Sequence, residues 1–186
     1  RSHVDEYEQA GLAFAQRLGF TIARHFFRST LDLGVFDETP FLASLHTAQA
    51  HGIAFATLAA LGDTPDMRRR VYELNKVTAG DIPGRGPFYT FEEYEQQRFG
   101  HAGYRAEGMF LALKGAEWVG LSQVSLHEQL AFNEMAGVLR QYRGQQIAQA
   151  PKLLAIRYAK AQGRPRISTF NDAANLPILT INRKLG

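Results

Sequence analysis

The 186-residue chain contains no cysteine, which excludes disulfides, thiolate metal sites and a cysteine nucleophile. It has no apolar run near the ~18 residues that a membrane-spanning helix requires, so no membrane partner is expected. The opening residues, Arg1-Ser2-His3-Val4-Asp5, lack the apolar segment of a secretory signal, and a cytoplasmic location is the expectation. Charge of one sign is also scarce. Lysine and arginine number 21 against 18 acidic residues, a net charge of +3. That excess permits an anionic partner but falls short of the footprint of a nucleic-acid binder, and no nucleic acid is expected. His25, His46, His51 and His101 show no ligand spacing with carboxylates, so no metal is assigned. What is present is an ordinary globular composition, 45% hydrophobic and 21% charged, sufficient for one substantial core.

Val4–Leu18 reads as a helix, with Leu12, Ala15 and Leu18 on one side and Gly19 as its stop. Phe20–Leu33, rich in Phe, Thr and Ile, reads as a long strand. Pro40–Ala50 has helical spacing closed by Gly52, and Ile53–Leu58 reads as a short strand. Thr64-Pro65-Asp66 is a helix start of hydroxyl cap, proline and acid, and that helix should reach about Val77. Thr78–Tyr89, marked by Gly80, Pro83, Gly84, Gly86 and Pro87, is a loop. Thr90-Phe91-Glu92-Glu93 is a capping box. Met109–Leu113, Trp118–Leu126 and Leu130–Leu139 read as three successive strands joined by short turns. A helix of about eighteen residues then runs to Gly163, a strand spans Arg166–Phe170, and a helix starts near Asn175. The order predicts an α/β protein: a mixed central sheet with flanking helices, antiparallel early and parallel around the long helix. One internal repeat is visible, since Leu12–Gly19 and Leu179–Gly186 both read as short helices ending in a basic residue, Leu and Gly.

The segment that carries chemistry runs from Gly137 to Ala148, between a strand and the long helix. Backbone N–H groups at such a helix start are unpaired and, with the helix dipole, suit a phosphate; Arg143 adds a positive charge. On local physics alone a plain strand-to-helix turn with an exposed arginine fits as well.

Arg143-Gly144-Gln145-Gln146-Ile147-Ala148 resembles the acetyl-CoA pyrophosphate loop of the GCN5-related N-acetyltransferases (GNAT), whose pattern is Arg/Gln-x-x-Gly-x-Gly/Ala. Thr169–Gly186 is similar to that family's second cofactor motif, an Asn before a helix ending in Leu-Gly. The resemblance spans roughly residues 53–186 and implies the acyl-CoA N-acyltransferase fold, with transfer of acetyl from acetyl-CoA to a primary amine of a small molecule by direct attack. It implies that backbone at Gly137 and Val138 pairs with the pantetheine arm. It implies further that Gly144, Gln145, Gln146, Ile147 and Ala148, with Arg143 nearby, hold the pyrophosphate, and that Asn175 hydrogen-bonds the cofactor.

Three departures from the pattern stand out. Gln146 replaces the family's middle glycine, Pro151 falls one and a half turns into the expected helix, and Asn182 stands where a general-acid Tyr is common. A proline deep in a helix costs on the order of 3 kcal/mol, so either the helix starts near Ala150 or it kinks. Glu134, in the strand beside the expected reaction centre, is the candidate base, acting through water. Its alternative is a strand-edge carboxylate facing solvent or an arginine. Tyr72, Glu73 and Asn75 border the expected acceptor site and read as a solvated helix face. The family fold closes with one or two further strands. The helix-strand unit at the start therefore suggests a tandem, mycothiol-synthase-like layout: 1–33 as the tail of a preceding unit, 34–52 as a linker helix, and 53–186 as the acetyltransferase domain. In that layout Phe20–Leu33 fills the gap in the sheet, within the chain or by strand exchange in a homodimer. The competing readings are a non-catalytic CoA-binding or scaffold module, and an anion or RNA binder using Arg140, Arg143, Arg157, Arg164 and Arg166.

Overall fold

The apolar stretches pair where alternation gives them two faces to bury. The structure, a computed structural model, describes residues 4, 5, 7–82, 84–145 and 147–186. Its strands are β1 (Phe26–Asp32), β2 (Ile53–Thr57), β3 (Met109–Lys114), β4 (Glu117–Leu126), β5 (Ala131–Val138) and β6 (Arg166–Asp172). They form one six-stranded sheet in the order β1-β6-β5-β4-β3-β2. Every neighbouring pair is antiparallel except β5 and β6, which are parallel and so need a crossover helix.

The helices are α1 (Gln9–Arg17), α2 (Leu42–Ala50), α3 (Pro65–Ala79), α4 (Phe91–Tyr94), α5 (Gln149–Ala161) and α6 (Leu176–Leu185). Alternation along β3 divides the core between two layers. Met109 and Leu111 pack with Val71, Tyr72, Leu74 and Tyr94 of α3 and α4. Ala112, on the other face, packs with Ala48 of α2 and with Ala150 and Leu153 of α5. The start of α3 is set by Thr64 Oγ1, which accepts from Met67 N at 3.3 Å, followed by Pro65 in the first turn. Thr90 and Glu93 close the expected capping box of α4.

Several boundaries differ from the sequence expectation. The first helix is confined to Gln9–Arg17 and buries none of its described residues. The first strand covers Phe26–Asp32 only, because β6 ends at Asp172, opposite Phe26, and leaves residues 20–25 no ladder partner. Helix α3 continues through Thr78, whose hydroxyl donates to Leu74 O at 2.9 Å. Helix α5 starts at Gln149 and has 13 residues, so Pro151 sits in its first turn, where a missing N–H removes no intrahelical bond. The two copies of the repeat share a local design, each helix being followed by a glycine at positive φ, Gly19 at +81° and Gly186 at +129°. Among the described residues no helix is long and apolar enough to cross a membrane.

Gly137 on β5 faces α3 so closely that a Cβ there would lie 2.7 Å from Thr78 Cβ. Gly137→Ala is expected to cost about 1–3 kcal/mol through overpacking, read as a lower midpoint in chemical denaturation. Strand β1 covers all seven residues of β6. Deleting residues 1–33 bares that edge and should lower the melting temperature, at about 2–4 °C per kcal/mol for a chain of this size. An equally soluble and stable truncated protein would refute the role of β1 in closing the sheet.

Candidate active site

The site begins with a fault in the ladder. Strands β5 and β6 pair only at Ala131↔Ile167 and Phe132↔Ser168, and beyond these residues they diverge. A bulge marks the divergence: Val124 pairs with Asn133 and Gln123 with Met135, which leaves Glu134 unopposed and re-aims its side chain. The edge of β5 from Asn133 to Val138 therefore lines an open groove of about 1950 Å³, shared with β6, α3, α6 and the start of α5. Gly137 and Val138, expected to meet a pantetheine arm, both line it.

At its wide end the groove meets the loop before α5. Gly144 adopts φ +79°, which side-chain-bearing residues rarely do, and Ile147 is buried against Leu45 and Ala48 of α2. Between these two anchors, the backbone N–H groups of Gly144, Gln145, Ile147 and Ala148 meet no backbone carbonyl among the described residues. Ala148 and Gln149 open the helix and line the groove. An anion there meets amides and the positive end of the helix dipole. Gln146 lies outside the described residues. Arg143, expected near the pyrophosphate, lines the groove; its Nε donates to Val138 O at 3.2 Å and its guanidinium pairs with Asp81, which also pairs with Arg140. Hydrogen bonds from Arg140 and then Arg143 hold the Asp81 carboxyl below its ordinary range.

At the narrow end, Asn133 Nδ2 donates to Ser122 Oγ at 2.9 Å and to Gln123 O at 3.0 Å. Its Oδ1 accepts from Lys152 Nζ at 3.0 Å. Lys152 is 6% exposed, and burial pushes its ammonium down to about 8. It lines the groove on one side and a cavity of about 50 Å³ between β1, β6, α5 and α6 on the other. Asn182, expected at the general-acid position, lines that small cavity and donates to Asn171 Oδ1 at 2.7 Å. Asn175 sits just before α6 and lines the groove; its side chain makes no hydrogen bond among the described residues, which leaves its amide open to a ligand.

On the α3 side Glu134 accepts from Arg98 Nη1 at 2.8 Å and from Ser125 Oγ at 2.6 Å. The expectation of a solvated helix face at Tyr72, Glu73 and Asn75 holds only for Glu73. Tyr72 and Asn75 are buried because α4 folds over them: Tyr72 packs edge-on against Phe91 and Tyr94, and Asn75 Nδ2 donates to Tyr94 Oη at 2.7 Å. Asn75 Oδ1 is buried and has no hydrogen-bond partner among the described residues, and Asn75 lines the groove. Arg85 lies 4.9 Å from the Phe88 ring centre and 5.6 Å from that of Tyr89, and burial lowers its pKa. Sequence reasoning missed Asn133, Lys152, Arg98 and Arg85. Lys152 alone carried a signal, since it shares a helical stripe with Ala155, Ile156 and Ala159, all of which are buried.

No protein-family model and no curated protein matches the chain. Solved structures match its fold. A GCN5-related N-acetyltransferase from Sphaerobacter thermophilus superposes with a TM-score of 0.65 at 18% identity, over 92% of this chain and 50% of that one. A tandem GNAT protein from the clavulanic acid biosynthesis pathway gives 0.62 at 19% identity, over 100% of this chain and 56% of that one. The ribosomal-protein-S18-alanine N-acetyltransferase from Escherichia coli gives 0.57 at 12% identity, over 72% of this chain and 76% of that one. The chain thus spans about half the length of the first two. With its mixed six-stranded sheet, flanking helices and parted central strands, the chain has the acyl-CoA N-acyltransferase (GNAT) fold.

Proposed function

We propose that the protein transfers an acetyl group from acetyl-CoA to a primary amine of a small molecule by direct attack. The observation that carries this reading is the parted β5–β6 pair, which opens a backbone edge leading to amides before α5 that meet no backbone carbonyl among the described residues. Acetyl-CoA supplies an acetyl group activated as a thioester. The amides of Gly144, Gln145, Ile147 and Ala148 hold the pyrophosphate, with Arg143 at the rim. Backbone groups of Gly137 and Val138 pair with the pantetheine arm, and the free amide of Asn175 steadies it from the opposite wall. Glu134 takes a proton from the acceptor amine through water. Asn182 acts as a positioning residue that ties α6 to β6 through Asn171. We also read residues 1–33 as the helix-strand tail of a preceding unit, 34–52 as a linker helix and 53–186 as the acetyltransferase domain. The tandem protein aligned over the whole of this chain supports that division.

One observation favours the alternative, a CoA-binding module without catalysis: both Glu134 oxygens are already engaged, by Arg98 and Ser125. Two measurements decide between them. Calorimetric titration should show both acetyl-CoA and CoA binding, and absence of binding sinks both readings. Thiol release with a panel of small amines should then detect turnover. Glu134→Gln is expected to lower kcat by about 10²–10⁴-fold with acetyl-CoA affinity retained; tight binding without thiol release from any amine would leave the non-catalytic module.

A further inference from the structure

Lys152 is a buried cation that the reading above does not use. Long charged side chains rarely sit fully inside a fold without an ion partner, and among the described residues Lys152 has one neutral acceptor, Asn133 Oδ1, for three donor hydrogens. Its place is specific. Asn133 is the first β5 residue beyond the last β5–β6 pair, so the ammonium stands at the apex of the cleft. From Val138 back to Asn133 the edge of β5 spans five residues, about 17 Å at roughly 3.4 Å each. An acyl-CoA whose pyrophosphate rests before α5 and whose arm follows this edge points its sulfur toward that apex.

Among the described residues no carboxylate pairs with Lys152. Glu134 on β5 is held by Arg98, Asp172 on β6 is held by Arg24, and β4 presents the uncharged Ser122. Arg28 of β1 and Lys184 of α6 line the groove as further cations, and among the described residues Lys152 is the one titratable side chain lining the small cavity. Burial alone accounts for its lowered pKa of about 8, which leaves it largely protonated at neutral pH yet able to give a proton away.

We propose that Lys152 protonates the departing CoA thiolate, a catalytic role that rests on the acyl-transfer reading and that Asn182 cannot fill. As the acceptor nitrogen bonds to the acetyl carbon, the C–S bond breaks and its electron pair goes to sulfur. A proton from Lys152 Nζ then completes the thiol and leaves a neutral lysine. The proton shed by the acceptor nitrogen departs through water at Glu134, and solvent returns one proton to Lys152 as product leaves.

Lys152→Met keeps the length and apolar fit of the side chain without its charge, and its folding is checked by thermal melting. We expect kcat to fall about 10²-fold or more, while calorimetry shows acetyl-CoA affinity within about threefold of wild type. Wild-type kcat should decline as pH rises through about 8, as the proton donor is lost, and the variant should lack that limb. Lys152→Arg keeps a charge that does not leave at neutral pH and should not restore kcat. A readout without turnover uses the binary complex with CoA: ultraviolet absorbance of the bound thiolate should appear at lower pH in wild type than in Lys152→Met. Unchanged kcat or an unchanged absorbance titration in folded Lys152→Met overturns the role. So does full rescue by Lys152→Arg, which would mark a fixed-charge anchor, or an acetyl mass on Lys152 during turnover, which would mark a nucleophile. If wild type itself neither binds acetyl-CoA nor releases thiol, the acyl-transfer reading fails first and takes this role with it.

Discussion

The separation of β5 from β6 is the constraint on which the rest of the molecule hangs. A parallel pair in the middle of a sheet ordinarily continues its ladder, because each unmade backbone bond in a buried position costs about 1–3 kcal/mol. Here the ladder stops after two residue pairs, and the extra residue at Glu134 turns the strand at the same point. The separation is held from several sides. Thr169 Oγ1 reaches across to Asn133 O at 3.0 Å and closes the apex. The Asn133 side chain ties β5 back to β4, and α3 presses on Gly137 from one face while α5 lies beneath the other. What a sheet normally satisfies internally is thus left facing an open groove.

Electrostatics grades that groove from rim to apex. At the rim two arginines share one carboxylate, Asp81, in an exposed arrangement that salt screens readily. In the middle, Arg98 and Ser125 fix the orientation of Glu134. At the apex a single ammonium stands in a desolvated position with an amide for company. Cations thus stand at both ends of the groove, exposed at the rim and buried at the apex, an arrangement suited to a ligand that is anionic at one end and reactive at the other.

Much of this was legible in the sequence, because short-range signals governed it. The capping residues Thr64 and Thr90, the alternation along residues 109–138 and the glycines at helix ends predicted the elements and their order. The groove-lining backbone at Gly137, Val138 and Asn175 followed from motif position. What the sequence concealed depends on pairings far apart in the chain. Arg143 meets Asp81 across 62 positions, and Arg98 meets Glu134 across 36. Tyr72 and Asn75 read as exposed because nothing near them announces that α4 folds over their face. Pro151 read as a breaker only because the helix start was placed too early; a proline marks first turns as well as interruptions.

Strand β1 also bears on how the chain acquires its shape. Its partner β6 lies roughly 140 residues away in sequence, the most distant strand pairing in the sheet. Contacts of such separation are entropically late, since the intervening chain must be ordered before the ends can meet profitably. Phe26 and Phe27, still half exposed in the finished sheet, therefore leave synthesis well before the strand they pair with and are late to find their place. During that interval an apolar strand with free edges is available to any other extended segment. The folding of this sheet is thus exposed to error at β1 for as long as β6 is unfinished.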